Sequence, residues 1–254
     1  MKKKLSMLVA AFLAPSIAFG YPNGTPNYVT DAAPFCASCH SAVKAEYMPE
    51  LPAAVAAKET PDNKHYGLIR LPSQPSPYIE LTDEQKEKLI NAAKTIDSNS
   101  TVTITAPQKA RPGEEIKVTV KVKGGNGPVI CVMLVDKPLR FQSRPVSSSG
   151  WMITGEPDVR GQDGKVQTLW LDRRAKDLQR NLNYVAIENQ RFDMDKNIYP
   201  EGTVTYTLKA PNRPGVYSVT AAFLYGTENT DRAGFFQRPS GRILFSNEVG
   251  VRVE

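Results

Sequence analysis

Apolar and polar positions alternate with a period of two through most of the second half of the chain. Thr101-Val102-Thr103-Ile104-Thr105 alternates, and residues 115–122 repeat the pattern with Ile116, Val118, Val120 and Val122 on one face. This is the signature of a half-buried strand. Residues 129–135 form an unbroken apolar run suited to a central strand. Further strands are expected over 165–171, 183–188, 203–209, 216–225 and 243–253. Turn sequences separate them: Arg111-Pro112-Gly113, Gly124-Gly125-Asn126-Gly127-Pro128 and Arg213-Pro214-Gly215. Some eight strands punctuated this way predict an antiparallel β-sandwich.

Before Ser98-Asn99-Ser100 the period is 3.6. Leu89, Ala92, Ala93 and Ile96 fall at i, i+3, i+4 and i+7, and Thr82-x-x-Gln85 is a capping box, so a helix is expected over 81–96. A short helix entering at Pro52 is expected over 51–58, and residues 41–47 are helix-compatible. The proline-rich residues 71–77 read as loop. At the start, Lys2, Lys3 and Lys4 precede an apolar run that Pro15 interrupts, with Ala18 and Gly20 at the −3 and −1 positions. That order is a secretory signal peptide cleaved after Gly20, which implies a periplasmic or otherwise exported protein. No later apolar run is long enough for a transmembrane segment. The expected organisation is a signal peptide at 1–20, a small mostly helical domain at 21–98 and a sandwich at 101–254.

The chain has 254 residues, 41% hydrophobic and 23% charged, which is enough apolar material for one or two packed domains. Residues 21–100 carry 7 bases and 10 acids, and residues 101–254 carry 22 and 16. The basic half lacks clustered Lys/Arg runs with interleaved aromatics, so nucleic acid is not an expected partner. Three cysteines cannot build a disulfide scaffold, and two histidines exclude a His-rich zinc or copper enzyme.

The most informative residues are Cys36-Ala37-Ser38-Cys39-His40, a C-x-x-C-H motif. Thiols three positions apart on one side of a turn can both add to the vinyl groups of one haem, and the adjacent His40 projects at the iron. A zinc site would need two further ligands, and a thioredoxin-like disulfide would need a βαβ pattern that does not follow. On this motif and its flanks the chain resembles the c-type cytochromes. The resemblance implies one covalently attached haem c, assembled after export, with Cys36 and Cys39 as attachment points and His40 as the proximal iron ligand. The sequence departs from that family in having only fifteen residues from Tyr21 to Phe35 ahead of Cys36, Pro22, Pro26 and Pro34 among them, too little for a long N-terminal helix. His65 is the expected distal ligand, with Met48 as the alternative and an open sixth position as the third.

The second half resembles an immunoglobulin-like domain in architecture. The expected fold class is therefore α+β multidomain: a helical haem-binding domain followed by an antiparallel immunoglobulin-like sandwich. Cys131, inside the apolar run, reads as a buried small hydrophobe, and the absence of histidine after residue 65 excludes a cupredoxin-like copper site. Trp151 and Trp170 read as core aromatics. Arg173, Arg174, Lys176, Arg180, Arg232, Arg238 and Arg242 read as a solvated or docking face, and Phe235-Phe236 as a packed or contact patch. The expected function is electron transfer by an exported monohaem c-type cytochrome, not an enzyme, whose sandwich docks a redox partner protein or a respiratory or oxidoreductase complex. The alternatives are a haem enzyme or gas sensor with an open sixth site, and an assembly subunit that uses the haem as a relay.

Overall fold

The computed structural model describes residues 40–73, 76, 78–172, 182–228 and 241–254. The long strand β10 (Gly215–Gly226) organises one of two sheets. On one side it pairs with β5 (Ile130–Val135), which carries β8 (Val185–Ile187) beyond it. On the other side β11 (Gly241–Phe245) pairs with its C-terminal half and β12 (Val249–Val253) with its N-terminal half. Two short strands extend that edge in parallel: β1 (Ser41–Ala42) beside β11 and β3 (Lys109–Ala110) beside β12. The second sheet is antiparallel, with β2 (Thr101–Thr105), β4 (Glu115–Lys123) and β9 (Glu201–Lys209) in order. Beyond β9 lie β6 (Met152–Ile153) and β7 (Asp158–Arg160).

Side-chain alternation explains the layering. Ile116, Val118, Val120 and Val122 are buried while their neighbours along β4 are exposed or half-buried. Val204, Tyr206 and Leu208 of β9 face the same interior, across a ladder of nine residue pairs. Every residue of β5 is buried, as an unbroken apolar run requires. These residues and those of β10, β11 and β12 form one hydrophobic cluster between the sheets.

The helical segment contains α1 (Ala53–Ala56), continued by a 3-10 turn at Ala57–Glu59, then α2 (Pro61–Arg70) and α3 (Asp83–Ser98). Thr60 stands at the N-cap of α2 and Pro61 at its first turn, where a missing N–H costs nothing. Thr82 and Gln85 close the capping box of α3 in both directions, at 3.3 and 2.9 Å. Tyr66 and Ile69 of α2, Tyr78, and Ile90 and Ala93 of α3 form a small second core. α4 (Leu169–Asp172) is a single turn that buries Trp170.

The α+β multidomain expectation, a mostly helical haem-binding domain followed by an immunoglobulin-like sandwich, is corrected by this architecture. The structure is mainly strand. Ala42, Tyr47, Met48, Ala56 and Ile96 lie in the same apolar cluster as the sandwich, and β1 is itself a strand of the sheet. The helices are short covers on a β-sandwich, and the parallel edge pairs depart from a purely antiparallel design. Residues 41–47 are not a helix, because Ser41 and Ala42 are drawn into pairing with β11 and only Ala45–Tyr47 winds into a 3-10 turn. Where a strand was expected over 165–171, the chain turns into α4, with the Trp170 indole donating to the Gln167 carbonyl at 3.2 Å. The region expected as one strand over 243–253 is two, β11 and β12, which pair with different halves of β10.

Candidate functional site

His40 is the member of the C-x-x-C-H motif that falls within the described residues; Cys36, Cys39 and the proposed signal at 1–20 lie outside them. His40 immediately precedes β1. That strand runs parallel to β11 with Ser41 beside Arg242 and Ala42 beside Ile243, and the Val43 amide donates to the Ile243 carbonyl at 3.2 Å. This register brings His40 against Gly241, where a side-chain carbon would collide with Nδ1 and Cε1 of the imidazole. Burial holds the pKa of His40 below its usual value. A hydrogen bond to the Gly241 backbone opposes the shift, while the charges of Arg242, Arg140 and Lys64 add to it. The ring is therefore held toward its neutral form, the form that ligates metals.

Arg140 and Lys64 meet at Glu59. Arg140, fully buried, lies 2.8 Å from the Glu59 carboxylate and donates to its carbonyl at 3.1 Å, and Lys64 Nζ lies 2.6 Å from the same carboxylate. Burial raises the pKa of Glu59, but the two cations outweigh it and leave the carboxyl below its usual range. Met48 is buried, with its sulfur 3.7 Å from Arg140 Nη1.

His65, on α2, sits in a buried polar network joining the helices to the sandwich. Arg242 Nη2 stands 3.0 Å from His65 Nδ1. A guanidinium only donates, so Nδ1 accepts and the ring proton is on Nε2. Nε2 is 3.1 Å from Tyr78 Oη and 2.7 Å from Glu228 Oε1, and Tyr78 in turn donates to Glu228 Oε2 at 3.1 Å. Arg242 Nε bonds Asp97 at 3.0 Å, and Tyr66 and Tyr225 donate to the same carboxylate at 2.7 and 3.0 Å. Burial pushes the phenols of Tyr66, Tyr78 and Tyr225 upward, and the Asp97 or Glu228 charge adds to this.

The structure thus brings His40 and His65 around one shared neighbour, Arg242, which bonds one histidine and acts by its charge on the other. It does not leave His65 with a free ring nitrogen; ligation of iron would require Arg242 or the Tyr78–Glu228 pair to give way. Arg242, expected on a solvated face, is fully buried because Asp97 neutralises it and Tyr66 lies under its guanidinium. Arg173, Arg174, Lys176, Arg180, Arg232, Arg238 and Phe235-Phe236 lie outside the described residues. Cys131 is buried on β5 and is not in a disulfide. Trp151 is buried and its indole donates to the Ser218 carbonyl at 3.2 Å. Sequence reasoning missed Asp97, Glu228, Tyr66, Tyr78 and Arg140 as site residues.

No family model matches the chain, and no curated protein matches it. Among solved structures it is similar to the CARDB domain of a Pyrococcus furiosus protein in complex with di-metal ions. That match has 11% identity and a TM-score of 0.27, and covers 61% of this chain and 90% of that one. An overlap this slight bears on neither fold family nor function. The resemblance to c-type cytochromes is corrected: it does not extend beyond five residues. Among the described residues no helical haem module stands apart from the sandwich, and no cluster of three or more His, Cys, Asp or Glu able to hold a metal occurs. No described helix is long and apolar enough to cross a membrane.

Proposed function

We propose that the chain is an exported electron-transfer protein carrying one haem, joined covalently through Cys36 and Cys39 with His40 as axial ligand. The observation that carries this reading is the C-x-x-C-H motif, ending in an imidazole whose Nδ1 edge is laid against backbone and whose neutral form is favoured. The surroundings also suit such a group. The Nη1 atom of Arg242 is buried without a hydrogen-bond partner, and Arg140 and Lys64 add positive charge within reach of His40. A haem brings two carboxylates that such charge would complement. When bound, the group supplies one-electron chemistry. The chain's own residues orient His40, exclude water and set the local field. The partners in this reading are redox proteins or an oxidoreductase complex, met after export.

A second reading, a ligand-binding haem enzyme or sensor, is favoured by one observation. Both nitrogens of His65 and the sulfur of Met48 are engaged by protein groups, so neither expected distal ligand is free in this arrangement. Haem staining of the exported protein on a denaturing gel tests the attachment, which the Cys36→Ala/Cys39→Ala variant should abolish. Haem retained by that variant, or absent from the wild type, overturns it. Carbon monoxide separates the two readings: an unchanged reduced spectrum supports electron transfer, and immediate binding supports the second.

A further inference from the structure

The proposed haem site gives this step its starting point: we infer that Gly241, on the sandwich strand β11, is the positioning residue for the axial ligand His40. The parallel register of β1 and β11 sets residue 40 beside residue 241. The glycine there is not explained by its backbone. Among the described residues, the glycines with positive φ are Gly113, Gly124, Gly125, Gly127, Gly150 and Gly164, and Gly241 is not one of them. Any residue could adopt its conformation. What excludes a side chain is the imidazole of His40, whose Nδ1 and Cε1 occupy the space a Cβ would take. Gly161 and Gly202 are crowded too, by Gln167 and by Arg160 and Ile187, whereas Gly67 and Gly155 have nothing within 4 Å of that space; at Gly241 the group in the way is the imidazole of His40.

The consequence is chemical. A metal-ligating histidine is oriented by whatever holds its other nitrogen, which fixes the tautomer and the plane of the ring. Here the Nδ1 side of the ring lies against β11, which in this reading leaves Nε2 to meet the iron. The sandwich is therefore part of the ligand's support. Removing a group that orients a metal ligand typically weakens ligation about 10–100-fold.

The test uses the exported, haem-loaded chain. Gly241→Ala should keep its covalent haem, because attachment runs through Cys36 and Cys39. It should show altered electron paramagnetic resonance g-values and a shifted reduction potential, and exogenous imidazole should displace His40 at about 10–100-fold lower concentration than in the wild type. Gly155→Ala, which adds the same methyl in open space, should match the wild type. Spectra, potential and imidazole titration of Gly241→Ala identical to the wild type would overturn the inference. If Gly241→Ala does not fold, the double variant His40→Ala/Gly241→Ala decides: a restored melting transition by circular dichroism supports the steric pairing, and continued failure overturns it. A wild type without covalent haem would end the functional reading instead. The melts of the single and double variants would still report whether residue 241 supports His40.

Discussion

The two flanks of the sandwich core are held by opposite means. On one flank, β4 and β9 meet in an unbroken ladder and bury alternate Ile, Val, Tyr and Leu side chains, so cohesion comes from apolar area spread over many residues. On the other, α2 and α3 are tied to β10 and β11 through a few buried polar groups centred on Asp97 and Arg242. The first arrangement tolerates the loss of a part. The second does not, because a buried guanidinium that loses its carboxylate keeps its full desolvation cost.

The sharpest way to break the comparison is Asp97→Ala. It strips Arg242 of its counter-charge and leaves the Tyr66 and Tyr225 hydroxyls without their acceptor, at an expected cost of about 3–5 kcal/mol in chemical denaturation. Leu134→Ala, at the fully buried centre of β5, should cost about 3 kcal/mol in the same assay. If Leu134→Ala proves the more damaging, the polar tie is weaker than the apolar core and the contrast fails. Glu59 sharpens it at a partly exposed site. Its folded pKa is depressed, so its contribution is complete above the usual carboxylate range and is lost as pH falls through the folded value. Glu59→Gln should cost about 1 kcal/mol at neutral pH, and the gap from wild type should close toward pH 3. A gap independent of pH would show that the charge contributes nothing. The smallest effect is expected from Thr82→Ala, about 1 kcal/mol or less through loss of the α3 cap, read as a small drop in melting temperature.

The same contrast explains what could be read from the chain. Alternation exposed the buried face of β4 residue by residue, because a strand's periodicity is local. The capping box placed the start of α3 for the same reason. Helix α2 went unread although Thr60-Pro61 marked its entrance, since only two of its four buried residues, Tyr66 and Ile69, are large and apolar, the others being Pro61 and His65. The polar network was not legible at all. Arg242 stands 145 positions from Asp97 and 177 from His65, and no pattern within a window links them. An arginine among other cations in a basic half looks solvated until the fold supplies its acid. His40 stood out through its motif, but its setting against β11 depends on Gly241, an ordinary glycine in sequence.

The pairing of β1 with β11 also imposes an order of events. The strand that follows the motif is the first to leave the ribosome among the described strands, and its partner is the last but one. Until β11 has been made, His40 has no Gly241 to lie against. The imidazole reaches its final orientation only when the far end of the chain closes the sheet over it. A protein built this way couples completion of its last strands to the placement of residue 40, so a chain cut short before β11 would carry the motif without the strand that seats its histidine.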